Sequence, residues 1–271
     1  MYYYRFSIDD NIRFLQELAH MGSASLFDHP YLALLRSLHG EFGAKIHLNL
    51  FYQTEGFCLA QMPDYYRAQW MDASNWLRLS FHSRAEEPPS PYAEADAQTL
   101  WRDCQQVQRE IVRFAGCASL SPYTTLHYTA ATREGVLALR ECGIKGLVGL
   151  FGSGDDVERS YHLPLSVCRY LKAHSFFHDA DTQLDFIRND LILNLLSVEE
   201  IPALLEQKRQ QAFMEIMIHE QYFYPDYAAY QPDFAEKIRC ALSWLTAHGY
   251  QSCFLEDLPF LPLQTETGQP C

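Results

Sequence analysis

Nowhere in the 271 residues do lysines and arginines gather into a basic patch. The 21 basic side chains are outnumbered by 34 acidic ones, for a formal net charge of -13. A nucleic-acid binder would present a basic face, so no nucleic-acid partner is expected. No apolar run is long enough to cross a bilayer. No basic segment followed by an apolar stretch opens the chain, so no secretory signal is read and a reducing cytoplasm is expected. The eight cysteines form no Cys-x-x-Cys pair. Cys58, Cys104 and Cys142 read as small core residues, and a chain this rich in core residues needs no disulfide framework. There is no internal repeat and no linker. What is present is a core: 48% of the residues are hydrophobic and 14% aromatic. That suits one α/β domain over 1–262, with the polar tail 263–271 read as disordered.

The chain opens on Tyr2-Tyr3-Tyr4-Arg5-Phe6-Ser7-Ile8-Asp9-Asp10-Asn11, an aromatic and β-branched run that reads as a buried strand. A helical spacing follows at once in Ile12, Leu15 and Leu18. Two adjacent carboxylates here leave two readings open. Asp10 or Asn11 caps the helix while Asp9 is a solvated turn residue. Or both acids stand at the C-terminal edge of a sheet, where α/β barrels keep their chemistry. Helical patterns over 27–42, 62–71, 93–114, 132–142, 199–211 and 233–248 then alternate with apolar strands over 45–51, 76–81, 123–128, 144–151, 213–218 and 252–255. That rhythm points to parallel βα units. Between 152 and 197 it breaks, and 161–177 and 184–195 are expected to form extra strands or a hairpin. A proline-rich loop at 87–91 is expected to cover a site.

Three strands end on acid/base or metal-type residues: Asp9-Asp10, His82 with Glu86, and His219-Glu220. In a parallel barrel these ends converge on one rim, and Asp with His suits a catalytic divalent metal. His127 and His47 lie on further strand-like segments, although a lone strand histidine is more often structural. His174 and His178 flank an aromatic strand and are discounted. Tyr222, Phe223, Tyr224 and Tyr227 either wall a sugar cleft or pack the last loop.

In these segments the chain resembles the polysaccharide deacetylase (NodB-like, carbohydrate esterase family 4) superfamily. Ser7-Ile8-Asp9-Asp10 stands where that family has a Phe-Asp-Asp strand end. His82-Ser83-Arg84-Ala85-Glu86 is similar to its His-Ser/Thr-x-x-His segment except at the last place. Ser121-Pro122-Tyr123-Thr124 resembles its Pro-Tyr turn, and Met217-Ile218-His219-Glu220 its Leu-x-His-Asp/Glu strand end. The family's order holds over nearly the whole chain. Asn11 replaces the usual Gly, and Glu86 the second metal histidine. The third segment lacks its Arg, so the base's partner is missing or comes from elsewhere. The Trp-bearing fourth segment is not identifiable.

The resemblance implies a distorted (β/α)7 barrel, with extra strands in the 152–197 region, and metal-assisted amide hydrolysis. One divalent ion, zinc before others, would be held by Asp10, His82 and Glu86, with His127 in reserve. Asp9 would take a proton from water and His219 protonate the leaving amine. The Tyr123 backbone N–H would face the oxyanion, and Glu220 would contact substrate, orient His219 or simply be solvated. The implied partner is an N-acylated sugar, soluble or carrier-linked, used in surface-glycan assembly. The 87–91 loop and the 152–197 segment would wall one side of the rim and admit a chain terminus or monosaccharide. Two other readings stay open: a non-catalytic carbohydrate-binding relative, and an amidohydrolase acting on a small non-sugar amide.

Overall fold

Strand β1 (Tyr2–Asn11) is buried on both faces, and its alternation sorts two environments. Tyr4, Phe6 and Ile8 join the apolar core beneath the helices. Arg5, Ser7 and Asp9 point the other way, among polar side chains inside a barrel. The computed structural model describes residues 1–151 and 160–258. The tail expected at 263–271 and the start of the 152–197 segment lie outside the described residues.

After β1 come α1 (Arg13–Met21), α2 (Pro30–Phe42) and β2 (Ile46–Phe51). A short hairpin, β3 (Gln53–Thr54) with β4 (Phe57–Cys58), and α3 (Arg67–Ala73) lead to β5 (Leu77–Ser83). Next are α4 (Ala97–Ala115), β6 (Tyr123–Thr124), α5 (Arg133–Glu141) and β7 (Gly146–Gly149). The chain ends with α6 (Leu165–Ala173), β8 (Phe176–Asp179), β9 (Leu184–Arg188), β10 (Leu191–Ile192), α7 (Glu200–Gln207), β11 (Phe213–His219), α8 (Phe234–Ala247) and β12 (Tyr250–Ser252).

Two sheets share the barrel. One runs β10-β11-β1-β2-β5, with β12 beside the start of β1; the other runs β6-β7-β9-β8. They meet at a parallel bridge between Leu79 and Leu120, where Ser121 N–H donates to Leu79 O at 2.9 Å. They meet again where β9 runs into β10, with Asp190 N–H donating to Glu215 O at 2.8 Å. The parallel staves are thus β1, β2, β5, β6, β7, the β9–β10 segment and β11, which is the distorted (β/α)7 arrangement expected. Segment 161–177 differs from its strand expectation. Val167, Cys168 and Leu171 are buried at helical spacing, and the segment forms α6. The one added strand there is β8, antiparallel to β9; β9 and β10 belong to the ring.

Helix ends follow local chemistry. α2 starts on Pro30 and stops at Gly43, which has a φ of 64°. α4 starts four residues later than its apolar pattern because Asp96 caps it, accepting from Thr99 N–H at 2.7 Å. Its buried face includes Leu100, Cys104, Val107, Ile111 and Phe114. The described cysteines are all free thiols. Among the described residues no helix is long and apolar enough to cross a membrane.

Gly146 marks the tightest point between staves. A methyl group there would stand 2.6 Å from a Tyr123 ring carbon and 2.9 Å from the Asp185 backbone oxygen. Gly146→Ala should therefore lower stability by about 1–3 kcal/mol in urea unfolding. Gly40→Ala, in α2 with nothing within 4 Å of the added carbon, should raise it by about 0.5–1 kcal/mol. Equal effects at the two positions would contradict the packing assigned to β7.

Candidate metal centre at the barrel rim

The C-terminal ends of β1, β5 and β11 and the turn after β6 line a cavity of ≈ 340 Å³. Asp9 and Asp10 both reach it, which strict strand alternation forbids. The pairing of β1 with β2 shifts register between Ile8 and Asn11. Asp10 has a left-handed backbone, with φ at 61°. The bulge re-aims one side chain and turns two successive acids to the same side.

Asp10, His82 and His127 each offer one ligand atom, all within 4.8 Å of one another. His82 Nε2 lies 3.0 Å and His127 Nδ1 3.2 Å from the same oxygen, Asp10 Oδ1. Gln221 Nε2 donates to the other oxygen, Oδ2, at 2.9 Å. On its far side each ring meets a main-chain carbonyl. His82 Nδ1 is 2.5 Å from Thr125 O, and His127 Nε2 is 3.0 Å from Glu86 O. A carbonyl only accepts, so both outer nitrogens carry the proton. In the neutral rings the inner nitrogens are then bare, and their lone pairs converge on a carboxylate oxygen. Such a cluster needs a positive charge at its centre, either a proton or a cation. Imidazoles backed by carbonyls beside a carboxylate are the usual setting of a bound divalent ion, and the donor set fits one.

Phe51 lays its ring against both imidazoles, with centroids 5.2 and 5.0 Å away. Burial pushes the Asp10 carboxyl up, but the His127 and His82 rings prevail and hold it well below the ordinary carboxylate range. Burial disfavours the His82 imidazolium, and Asp10 and Asp9 outweigh it, so His82 titrates above the ordinary imidazole value.

Asp9 and His219 are register partners across β1 and β11. Asp9 is buried, and Asn49 Nδ2 donates to its Oδ1 at 2.5 Å. His219 Nδ1 lies 2.8 Å from Asn194 Oδ1, which places the ring proton on Nδ1 when the imidazole is neutral.

Three expected site residues give no side-chain group to this cluster. Glu86 lines the cavity but its carboxylate is outside the three-residue group; what it gives His127 is its carbonyl. β5 stops at Ser83, and Tyr92 OH accepts the Arg84 N–H at 2.9 Å. No helix follows that would set Glu86 beneath His82, and His127 takes the third place. Tyr123 is not at the rim. Its N–H donates to Ser121 Oγ and its hydroxyl to Asp185 Oδ2, each at 3.3 Å. The backbone lining the cavity is 125–129, where Tyr128 has a φ of 60°. Glu220 is buried and turned toward α1. It accepts from the N–H groups of Ile12, Arg13 and Phe14 at 2.7, 3.1 and 2.7 Å, and from Tyr224 OH at 2.7 Å. α1 has no side-chain cap of its own, so Glu220 caps it from another strand end, and neither Asp10 nor Asn11 does. Asn49, Asn194 and Gln221 were not anticipated. Asn49 alternates with His47 on β2 and was readable from that; the other two carry no sequence signal.

No family model matches the sequence, and no curated protein matches it. Among solved structures, 94% of the chain aligns with a 4-alpha-glucanotransferase from Thermococcus litoralis at TM-score 0.60 and 12% identity, covering 40% of that chain. It thus spans less than half of that protein. The same share aligns with a family 4 acetyl xylan esterase from Clostridium thermocellum, in complex with a cobalt ion, at TM-score 0.51 and 12% identity, covering 88% of that chain. A peptidoglycan N-acetylglucosamine deacetylase aligns at TM-score 0.50 and 8% identity, with 94% of this chain and 86% of the other covered. The chain has the polysaccharide deacetylase fold that its motifs resemble.

Two outcomes follow for variants of this rim. Wild-type protein is expected to carry a divalent metal in elemental analysis, and Asp10→Ala, His82→Ala and His127→Ala should each lose it, while Glu86→Ala keeps it. Metal retained in any of the first three removes that residue from the group. Glu220→Ala should cost about 2 kcal/mol or more in chemical unfolding, because it strands buried donors, and should leave metal content unchanged. Unaltered stability would refute the capping role.

Proposed function

We propose that this protein is a zinc-dependent hydrolase that removes the acyl group from an N-acylated sugar. The observation that carries this reading is the pairing of Asp9 with His219 in register, beside Asp10, His82 and His127 in one cavity. Amide hydrolysis takes a proton from water and gives one to the amine, and this pair can do both. The fold alone does not choose, since a glucanotransferase and deacetylases share it. Retaining glycosyl transfer asks for two carboxylates about 5–5.5 Å apart acting as acid and nucleophile. Here Asp10 sits against two imidazoles and Glu220 caps a helix. One free base beside a cation site suits deacylation better.

A divalent cation held by Asp10, His82 and His127 would polarise the acyl carbonyl and lower the pKa of cavity water. Asp9 accepts the proton of the attacking water; Asn49 occupies Oδ1, which leaves Oδ2 for that transfer. As the C–N bond breaks, His219 delivers a proton from Nε2 to the amine nitrogen, its Nδ1–H anchored on Asn194. Acid and amine leave, and the proton on Asp9 returns through solvent to His219. Backbone donors to the oxyanion would come from His127 and Tyr128 in place of Tyr123, since the N–H groups of Leu126 and Thr129 already donate to Tyr161 OH and Leu126 O.

Aromatic faces border the cavity. Tyr128 is exposed beside His127, with ring centroids 4.5 Å apart, and Tyr222 meets Tyr227 edge-on at 5.4 Å. Such faces suit a sugar ring. A second cavity of ≈ 660 Å³ shares Asp10, Glu86, Gln221 and Tyr227 with the first, and Glu87 lines it. Glu87, the first residue of the loop expected to wall the rim, thus borders space next to Asp10. We assign the acylated sugar to the smaller cavity and a carrier or neighbouring unit to the larger. The substrate proposed is a soluble or carrier-linked N-acylated sugar of surface-glycan assembly, met in the cytoplasm.

Asp9→Asn should keep its metal and lose about 10²–10⁴ in turnover, because an amide cannot take the proton. Amine release from nucleotide-linked N-acetyl sugars, short chitooligosaccharides, long chitin fragments and small amides tests the substrate. Turnover should be highest on the short or carrier-linked sugars. A steady rise with oligomer length would point to finished polymer. Metal-loaded protein inactive on every N-acyl sugar would overturn the reading.

A further inference from the structure

Inside the barrel a file of buried polar side chains, Glu215, Arg5, His47 and Ser80, leads to Asn49 and Asp9, and the chemistry above gives those first four no part. Glu215 and Arg5 are fully buried, with Oε1 and Nη1 2.5 Å apart. Arg5 Nη2 lies 2.7 Å from His47 Nδ1. A guanidinium only donates, so His47 Nδ1 accepts and the neutral ring carries its proton on Nε2. That nitrogen faces Ser80 Oγ at 2.8 Å. Ser80 in turn donates to Asn49 Oδ1 at 2.6 Å, and Asn49 Nδ2 donates to Asp9 Oδ1 at 2.5 Å. The direction is forced at both ends, because the guanidinium cannot accept and the carboxylate cannot donate. Every donor between them points toward Asp9, and hydrogen bonds in such a series strengthen one another. Burial and the charges of Arg5 and Arg78 hold His47 well below the ordinary imidazole range, in keeping with a bare Nδ1.

We propose that Asn49 is a positioning residue for Asp9, fixed in a single amide orientation by the donor file that begins at Arg5. A flipped amide would set its oxygen against the Asp9 carboxylate, two acceptors at contact distance. The hydroxyl of Ser80, whose oxygen already accepts from His47 and whose proton lies toward Asn49 Oδ1 at 2.6 Å, opposes that flip. The file thereby keeps Asp9 in one rotamer with Oδ2 free. This inference rests on the reading of Asp9 as the proton acceptor for its kinetic consequence, and on geometry alone for its structural one.

The test has two arms on the metal-loaded protein. In the structural arm, long-range proton–nitrogen spectra of wild type should show His47 protonated on Nε2 and bare on Nδ1. The crystal structure of Asn49→Ala should show Asp9 in a changed rotamer, with Asp10, His82 and His127 in place. In the kinetic arm, Asn49→Ala should lose about 10²-fold in kcat with KM little changed and full metal content, the cost of a misplaced reacting group. His47→Gln offers an acceptor and a donor on one side chain and should recover most of the kcat that His47→Leu loses. A Nδ1-protonated His47, or an unmoved Asp9 in Asn49→Ala, overturns the proposal whether or not a substrate is known. So does Asn49→Ala with wild-type kcat, or an equal loss in the two His47 variants. Absence of turnover in the wild type would instead count against the hydrolase reading, and the structural arm would still decide this one.

Discussion

A main-chain carbonyl can only accept a hydrogen bond, and at this rim the carbonyls of Thr125 and Glu86 each take the outward proton of an imidazole. From that the character of the site follows. His82 and His127 are left with bare nitrogens aimed at one oxygen of Asp10. The left-handed backbone at Asp10 and the bulge beside it hold the carboxylate in this position. Buried lone pairs facing one another are costly unless a positive charge stands between them. The candidate cation site is thus a consequence of backbone geometry, with the side chains held by what they donate to.

The barrel supports this by keeping two kinds of interior apart. Between staves and helices the packing is apolar, with Phe6, Ile8, Leu48 and Phe81 fully buried. Inside the ring of staves a polar file runs from the Arg5–Glu215 pair up to Asp9, beside a second apolar cluster that includes Tyr123, Val148, Ile187 and Phe213. A buried ion pair contributes little net stability and becomes a liability when one partner is lost. Its position here, at the base of a file of donors ending on Asp9, gives it a use in orientation. Cohesion falls to the apolar layer, and the polar file is free to serve the rim.

Much of this was legible in the sequence, and what was not has specific causes. The strand ends at Asp9-Asp10, His82 and His219 could be read because apolar strands that stop on polar residues mark a barrel's C-terminal edge. The ring of βα units was readable from the same rhythm. Glu86 was placed by its position in the resembled motif, whereas after β5 Tyr92 holds the chain in a loop from which Glu86 offers His127 its carbonyl. Tyr123 was misplaced because its strand is two residues long and ends below the rim. Glu220 follows His219 in sequence, but the turn after β11 directs it to the unpaired N–H groups of α1, a demand set by tertiary packing. Helix α6 was read as strand because its buried face is short, only Val167, Cys168 and Leu171. Arg5 was passed over as one charge in a strand, although a charge at an inward position of a buried strand must find a partner.

The claim on which the rest depends is that Asp10, His82 and His127 share a divalent ion. Anomalous diffraction from crystals grown with zinc, recorded on both sides of the zinc absorption edge, tests it directly. The expected result is one strong edge-dependent peak within bonding distance of Asp10 Oδ1, His82 Nε2 and His127 Nδ1, with both outer ring nitrogens still on their carbonyls. A map with no peak among these three atoms, or with its peak on Glu86 or Glu220 instead, would contradict it.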